Sequence, residues 1–107
     1  MIFHGFNENV PVSGKTFHVQ TQSLGLQNPL IVSIVFEGGA VKHSRKQTFA
    51  DLLNQPNLEE VVTDRMRLQH TNVIAELQTG SLKNERISRE DEAKLITEFL
   101  GRWAMED

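Results

Sequence analysis

The cationic side chains of one short basic run, Lys42, Arg45 and Lys46, are the clearest candidates for ligand chemistry. Clustered cations attract phosphate-bearing and carboxylate ligands. The run therefore predicts, as one alternative, a regulatory domain that binds an anionic small ligand or a nucleotide. Lysines on an edge strand also discourage pairing between the sheet edges of different molecules, and that role explains the same residues without a ligand.

The histidines do not have the spacing of a metal site. A zinc ion needs three or four converging ligands, often at short separations along the chain, and no such pattern joins His4, His18, His43 and His70. The chain has no cysteine, which excludes thiolate chemistry and cysteine-bound zinc. We expect no metal and no cofactor.

Catalytic motifs are also missing from the sequence. It contains no GxSxG elbow, no HExxH and no glycine-rich phosphate loop. A general base at His18 or His70 is the remaining catalytic alternative, and we expect that the protein is not an enzyme. Gln69 and His70 fall in the middle of an apolar helical stripe, so they are either buried and hydrogen-bonded or part of a partner site.

Two strand-forming segments flank Gly38-Gly39 and dominate the first half of the chain. Two glycines tolerate the positive φ of a tight I′ hairpin turn, so the pattern predicts an antiparallel sheet of three or four strands. Residues 1–12 are expected to form an edge strand or a loosely ordered arm, since Pro11 is tolerated at a sheet edge. We expect one domain over residues 1–107.

The predicted strand pairing divides the side chains between two faces. Alternation of residues and a pairing of Val19 with Val32 place one set on a face covered by helices: Phe17, Val19, Leu30, Val32, Ile34, Phe36 and Val41. The other face is then open to a partner, with His18, Gln20, Ile31, Val35 and Lys42 upon it.

Two long helices are expected after the strands, over about residues 57–79 and 89–104. Asn57 is a good N-cap and Gly80 a good terminator for the first helix. Val61 and Leu68 lie off its apolar stripe and indicate a second contact. Strands followed by helices indicate an α+β fold, here with both helices packed on one face of the sheet.

The overall composition limits the partners. A net charge of −3 over 107 residues argues against nucleic acid as a partner, because domains that bind it are usually basic. No apolar run approaches the ~20 residues of a membrane span, and the first ten residues lack the pattern of a signal peptide. We expect a cytoplasmic protein with no membrane contact.

One part of the chain resembles a group of small bacterial proteins with no established activity. The residues that carry the resemblance are Phe17 to Thr21, then Gly25, Pro29, Ile31 and Phe36 to Gly39, followed by Met66 and Gln69-His70. The group has a similar strand-loop-strand segment followed by a helix with a Met…Gln-His pattern. The resemblance implies a shared folding unit, and it assigns no catalytic residue.

The sequence therefore predicts a small protein-interaction or adaptor module that associates with itself as a homodimer or with another protein. Its partner-binding residues are expected on the open sheet face or on the off-stripe side of the first helix. They are His18, Gln20, Ile31, Val35, Val61 and Leu68.

Overall fold

A computed structural model describes residues 5–82 and, beyond them, residues 90, 93, 94 and 97. Four strands come first: β1 (Phe6–Val12), β2 (Lys15–Ser23), β3 (Leu30–Glu37) and β4 (Ala40–Thr48). They form one antiparallel sheet in the order β1-β2-β3-β4. A short 3₁₀ turn (Ala50–Leu52) then leads into helix α1 (Leu58–Thr79). This is the α+β arrangement that the order of the segments predicted.

Two tight turns connect the strands of the hairpins β1–β2 and β3–β4. Gly38 and Gly39 have φ of 57° and 82°, and Ser13 and Gly14 have φ of 51° and 81°. Positive φ at both central residues is the requirement of a I′ turn. The Gly38-Gly39 turn pairs Phe36 with Val41, as the sequence predicted.

The sheet register differs from the predicted one in both later pairings. Val19 lies opposite Val35 instead of Val32, a shift of three residues. An irregularity between Val35 and Phe36 brings Val35 opposite His43, which leaves Lys42 as an extra residue in β4. A shift by an odd number exchanges the two faces of a strand, so the predicted division of faces in β3 was wrong.

Helix α1 begins and ends close to the predicted positions. Asn57 precedes it without a side-chain capping bond, and Gly80 ends it in the left-handed conformation with φ 73°. The described residues contain one long helix instead of the predicted two. The second predicted helix, about 89–104, lies outside the described residues except for Glu90, Ala93, Lys94 and Thr97, which are helical.

Helix α1 packs on the face of the sheet that carries Ile31 and Val35. One apolar cluster lies near the start of α1, and it comprises Ile31, Phe49, Val62 and Met66. A second lies towards the end of α1, and it comprises Val10, Val19, Val35, Val73 and Leu77. The opposite face of the sheet has a third cluster of buried residues, Leu24, Val32 and Ile34. Strand β3 is therefore buried on both faces, which explains why its sequence is apolar from Leu30 to Phe36 except at Ser33.

Candidate functional site

A row of polar side chains crosses the sheet beneath α1, among the residues of its two apolar clusters. Each strand contributes one residue and α1 contributes two. We call this row the polar chain, and its members are Gln47, Gln69, Ser33, Thr21, His70 and Glu8. Thr21, Ser33, Gln69 and His70 are buried, with exposed fractions of 0%, 0%, 4% and 3%.

The first half of the polar chain connects β4 to β3 through α1. Gln47 Nε2 donates to Gln69 Oε1 at 2.8 Å. Gln69 Nε2 donates to Ser33 Oγ at 2.9 Å. The buried carboxamide of Gln69 thus uses both its acceptor and its donor, as a buried polar group must to avoid a desolvation penalty.

The second half connects β3 to β1 through β2 and α1. Ser33 Oγ lies 2.6 Å from Thr21 Oγ1, and Thr21 Oγ1 lies 2.7 Å from His70 Nδ1. His70 Nε2 lies 3.0 Å from Glu8 Oε1, whose side chain is 57% exposed. The polar chain therefore starts and ends at the molecular surface and is buried between.

The polar chain has one direction of donation when His70 is neutral. A carboxylate only accepts, so His70 donates from Nε2 to Glu8, and its Nδ1 accepts from the Thr21 hydroxyl. Thr21 then accepts from Ser33, which accepts from Gln69. Every donor points from Gln47 towards Glu8, and such aligned bonds polarise and strengthen one another.

Two opposing effects act on the pKa of His70. Burial is the larger effect and lowers its pKa below the ordinary 6.5, while the hydrogen bond and the charge of Glu8 act to raise it. The folded state therefore binds a proton less readily than the unfolded state. It follows that stability falls as the pH decreases from about 6.5 through the folded pKa, because the unfolded state takes up the proton first.

The order Thr21, His70, Glu8 has the composition of a hydroxyl–imidazole–carboxylate triad. In such a triad the hydroxyl oxygen attacks a carbonyl carbon, which must come within bonding distance. Thr21 is 0% exposed, and its oxygen contacts both Ser33 and His70. The geometry therefore gives the Thr21 hydroxyl a structural role and no access to substrate.

A groove lies between α1 and strand β4 at the Gln47 end of the polar chain. It has a volume of about 570 Å³. Its apolar wall consists of Leu52, Val61 and Leu68, and Gln47 and Gln69 also line it. Leu68 is 62% exposed, so the groove joins an apolar surface to the polar chain.

The six predicted partner-binding residues do not share one surface. Ile31 and Val35 are each 0% exposed and belong to the clusters under α1, so their predicted place on an open face was wrong. The odd shift of register is the physical reason. Val61 and Leu68 do lie together in the groove.

His18 and Gln20 lie on the sheet face opposite α1, as neighbours along β2. His18 Nδ1 contacts Asn9 Oδ1 at 2.8 Å, and Gln20 Nε2 donates to His18 Nε2 at 2.8 Å. Gln20 is only 9% exposed. Neither side chain lies in the groove.

The three cations of the predicted anion site do not converge. Arg45 makes a two-pronged contact with Glu76, at 2.8 and 3.0 Å. Lys42 lies 3.8 Å from Glu37 near the hairpin turn. Arg45 and Lys46 line the groove, whereas Lys42 is about 13 Å from Lys46 along an extended strand.

The helical part of the polar chain was predictable from the sequence, whereas its sheet part was not. Gln69 and His70 were recognised by their position within an apolar stripe. Their partners on the sheet are far away along the chain, 49 residues for Thr21 and 62 for Glu8. The polar residues of β2 and β3 carried a signal only in the correct register, where Thr21 lies opposite Ser33.

Within residues 5–82 and the four helical positions beyond them, no group of three or more histidine, aspartate and glutamate side chains is arranged to hold a metal ion. Nor does any described helix have the length and apolar character needed to cross a membrane. The chain matches no protein-family model, no curated protein and no solved structure.

Proposed function

We propose that this protein is an interaction module that binds a second copy of itself through the outward side of α1. The observation that carries the proposal is Leu68, which is 62% exposed in a groove whose wall also contains Leu52 and Val61. An apolar centre with a polar and charged rim is the usual anatomy of a protein interface. Here the rim includes Lys46, Asp64, Arg65 and Asn72.

The spacing of residues on α1 favours a second copy as the partner. Val61, Leu68 and Ala75 recur every seven residues and therefore lie on nearly one line along a helix. Around a two-fold axis at Leu68, two antiparallel helices place Leu68 against the partner's Leu68. Val61 then meets the partner's Ala75, so that a larger side chain faces a smaller one at both ends.

Charges on α1 are compatible with this pairing. Asp64 lies four residues before Leu68 and comes level with the partner's Asn72, so it meets an amide that donates hydrogen bonds and no second carboxylate. Glu60 comes level with the partner's Glu76, but Glu76 is held in a two-pronged pair with Arg45. The two copies therefore avoid an uncompensated contact between like charges.

Substitution of Leu68 by glutamate is expected to dissociate the dimer. Two carboxylates would face each other at the two-fold axis, and loss of a central apolar anchor costs about 2 kcal/mol or more. We expect the dissociation constant to rise at least about 30-fold. Sedimentation equilibrium over micromolar to millimolar concentrations measures the change.

Leu26→Glu is the matched control, because Leu26 is an exposed leucine (43%) in the loop between β2 and β3. It should leave the dimer intact. Neither substitution removes a buried side chain, so circular dichroism should show both variants folded. A wild-type protein that stays monomeric across the whole range, or equal effects of the two substitutions, would contradict the proposal.

Binding of an anionic ligand at Lys42, Arg45 and Lys46 is the less supported alternative, because Arg45 and Lys42 already contact carboxylates. A cytoplasmic location and an adaptor role complete the proposal. The absence of cysteine supports that location, since small secreted domains commonly depend on disulfides.

A further inference from the structure

The polar chain connects a titratable ring to the groove, and its bonds have a direction. With His70 neutral, Gln47 donates inward through Nε2 to Gln69, which leaves the carbonyl oxygen of Gln47 for the groove. The bonds between these two ends are contacts of 2.6–3.0 Å. A change of donor at one end therefore has a continuous path to the other.

We propose that protonation of His70 reverses the hydrogen bonds from Thr21 to Gln47 and changes the groove wall at Gln47 from an acceptor to a donor. A proton on Nδ1 makes that atom a donor, so Thr21 Oγ1 must accept from it. The Thr21 hydroxyl then donates to Ser33. The number of hydrogen bonds stays the same, because the donor and the acceptor exchange roles in each contact.

The reversal continues because the Ser33 hydroxyl loses its acceptor. Once Thr21 donates to it, the Ser33 proton needs a new acceptor, and a rotated Gln69 carboxamide supplies Oε1. Gln69 Nε2 then faces Gln47, whose own carboxamide rotates to accept. Gln47 now presents Nε2 to the groove. Leaving any of the buried groups unpaired instead would cost about 1–3 kcal/mol.

Charged groups around His70 affect its protonation and therefore the reversal of the hydrogen bonds, which we call the switch. Glu8 from β1 contacts the ring directly and favours the protonated form. From α1, the guanidinium of Arg67 lies 5.7 Å from the centre of the Phe6 ring, which packs against His70. Arg67 pairs with Asp64. From β2 and β3 the polar chain brings only the neutral Thr21 and Ser33. Because burial lowers the pKa of His70 below 6.5, we expect the hydrogen bonds to reverse below pH 6.5.

The consequence for self-association rests on the proposed function, because Gln47 lines the same groove as Leu68. The reversal of the hydrogen bonds itself does not rest on the proposed function. It is therefore tested in the monomeric Leu68→Glu variant, so that failure of the switch and failure of the dimer give different results. In that variant, the ring nitrogens of His70 and the side-chain amide of Gln47 are followed by nitrogen-15 NMR from pH 8 to pH 4.5.

The expected result is one common midpoint for His70 and for the side-chain amides of Gln47 and Gln69, with exposed Gln78 as the unaffected reference. Thr21→Ser, introduced into the Leu68→Glu variant, keeps the hydroxyl and should keep the common midpoint. Added Thr21→Val should leave the Gln47 amide unchanged while His70 titrates. A flat Gln47 signal beside a titrating His70 in the Leu68→Glu background, or a His70 ring that stays neutral until the protein unfolds, would overturn the proposal.

Discussion

Replacing Thr21 with valine is expected to lower the free energy of unfolding by about 2–4 kcal/mol. Valine has nearly the shape of threonine, so β2 keeps its packing under α1. The lost hydroxyl, however, leaves His70 Nδ1 and the Ser33 hydroxyl without the contacts they have at 2.7 and 2.6 Å. Each buried polar group without a partner costs about 1–3 kcal/mol. Urea denaturation followed by circular dichroism measures the loss.

Thr16→Val is the control for this prediction, because Thr16 lies on the same strand and is exposed. It should change stability by no more than about 0.5 kcal/mol. A difference of at least 2 kcal/mol between the two variants would support the polar chain as a structural element. Equal stabilities would show that the buried hydroxyl of Thr21 contributes nothing to the fold.

Replacing Ile31 with alanine is expected to destabilise the protein by about 2–5 kcal/mol. Ile31 is 0% exposed and packs with Phe49, Val62 and Met66. Truncating such a side chain loses its transfer free energy and leaves a cavity that the neighbours fill only partly. Thermal and urea unfolding both report the change, and the midpoint should fall without a large change in the urea dependence.

Leu26→Ala is the matched control for Ile31→Ala, because both substitutions remove apolar atoms and Leu26 is exposed. Its effect should stay within about 0.5 kcal/mol. The comparison also tests whether Ile31 lies under α1 or on the surface of the sheet. A surface position for Ile31, as the predicted register required, would make Ile31→Ala as mild as the control.

The strands and α1 were predictable because their signals are local. A pair of glycines defines a turn with positive φ, and the apolar period of α1 ends at a left-handed glycine. The register of β2 against β3 was not predictable in this way, because the connecting loop of residues 24–29 fixes no pairing by itself. One extra residue in β4 then shifted the second pairing.

Both faces of β3 are apolar, and this explains why the wrong face looked plausible. Val32 and Ile34 are buried on one side, and Ile31 and Val35 on the other. Periodicity distinguishes the two sides of a strand only when one of them is polar. The polar residues that do mark the α1 side are Thr21 and Ser33, and they are recognisable there only because they contact each other.

The polar chain gives the contact between α1 and the sheet a specificity that its aliphatic clusters lack. Apolar side chains pack in several arrangements at similar cost, whereas a sliding of α1 by one turn would separate Gln69 from Ser33 and His70 from Thr21. Two buried groups on the helix would then lose their partners together. The position of Leu68 on the outer side of α1 follows from the same constraint.

Cysteine cross-linking tests the two-fold contact most directly, because the chain has no cysteine of its own. Val61→Cys and Ala75→Cys are made as separate variants, and both keep Leu68. In the proposed dimer Val61 faces the partner's Ala75. Two copies of either single variant instead separate their thiols by about 21 Å along the helix axis, which is fourteen residues at 1.5 Å each.

A mixture of the Val61→Cys and Ala75→Cys variants is expected to give a disulfide-linked mixed dimer after subunit exchange and mild oxidation. Each variant oxidised alone should stay largely unlinked, since a disulfide requires Cα atoms within about 7 Å. The mixed product is resolved from either single product by mass spectrometry. Absence of the mixed dimer, or equal linkage in the single variants, would contradict self-association through α1.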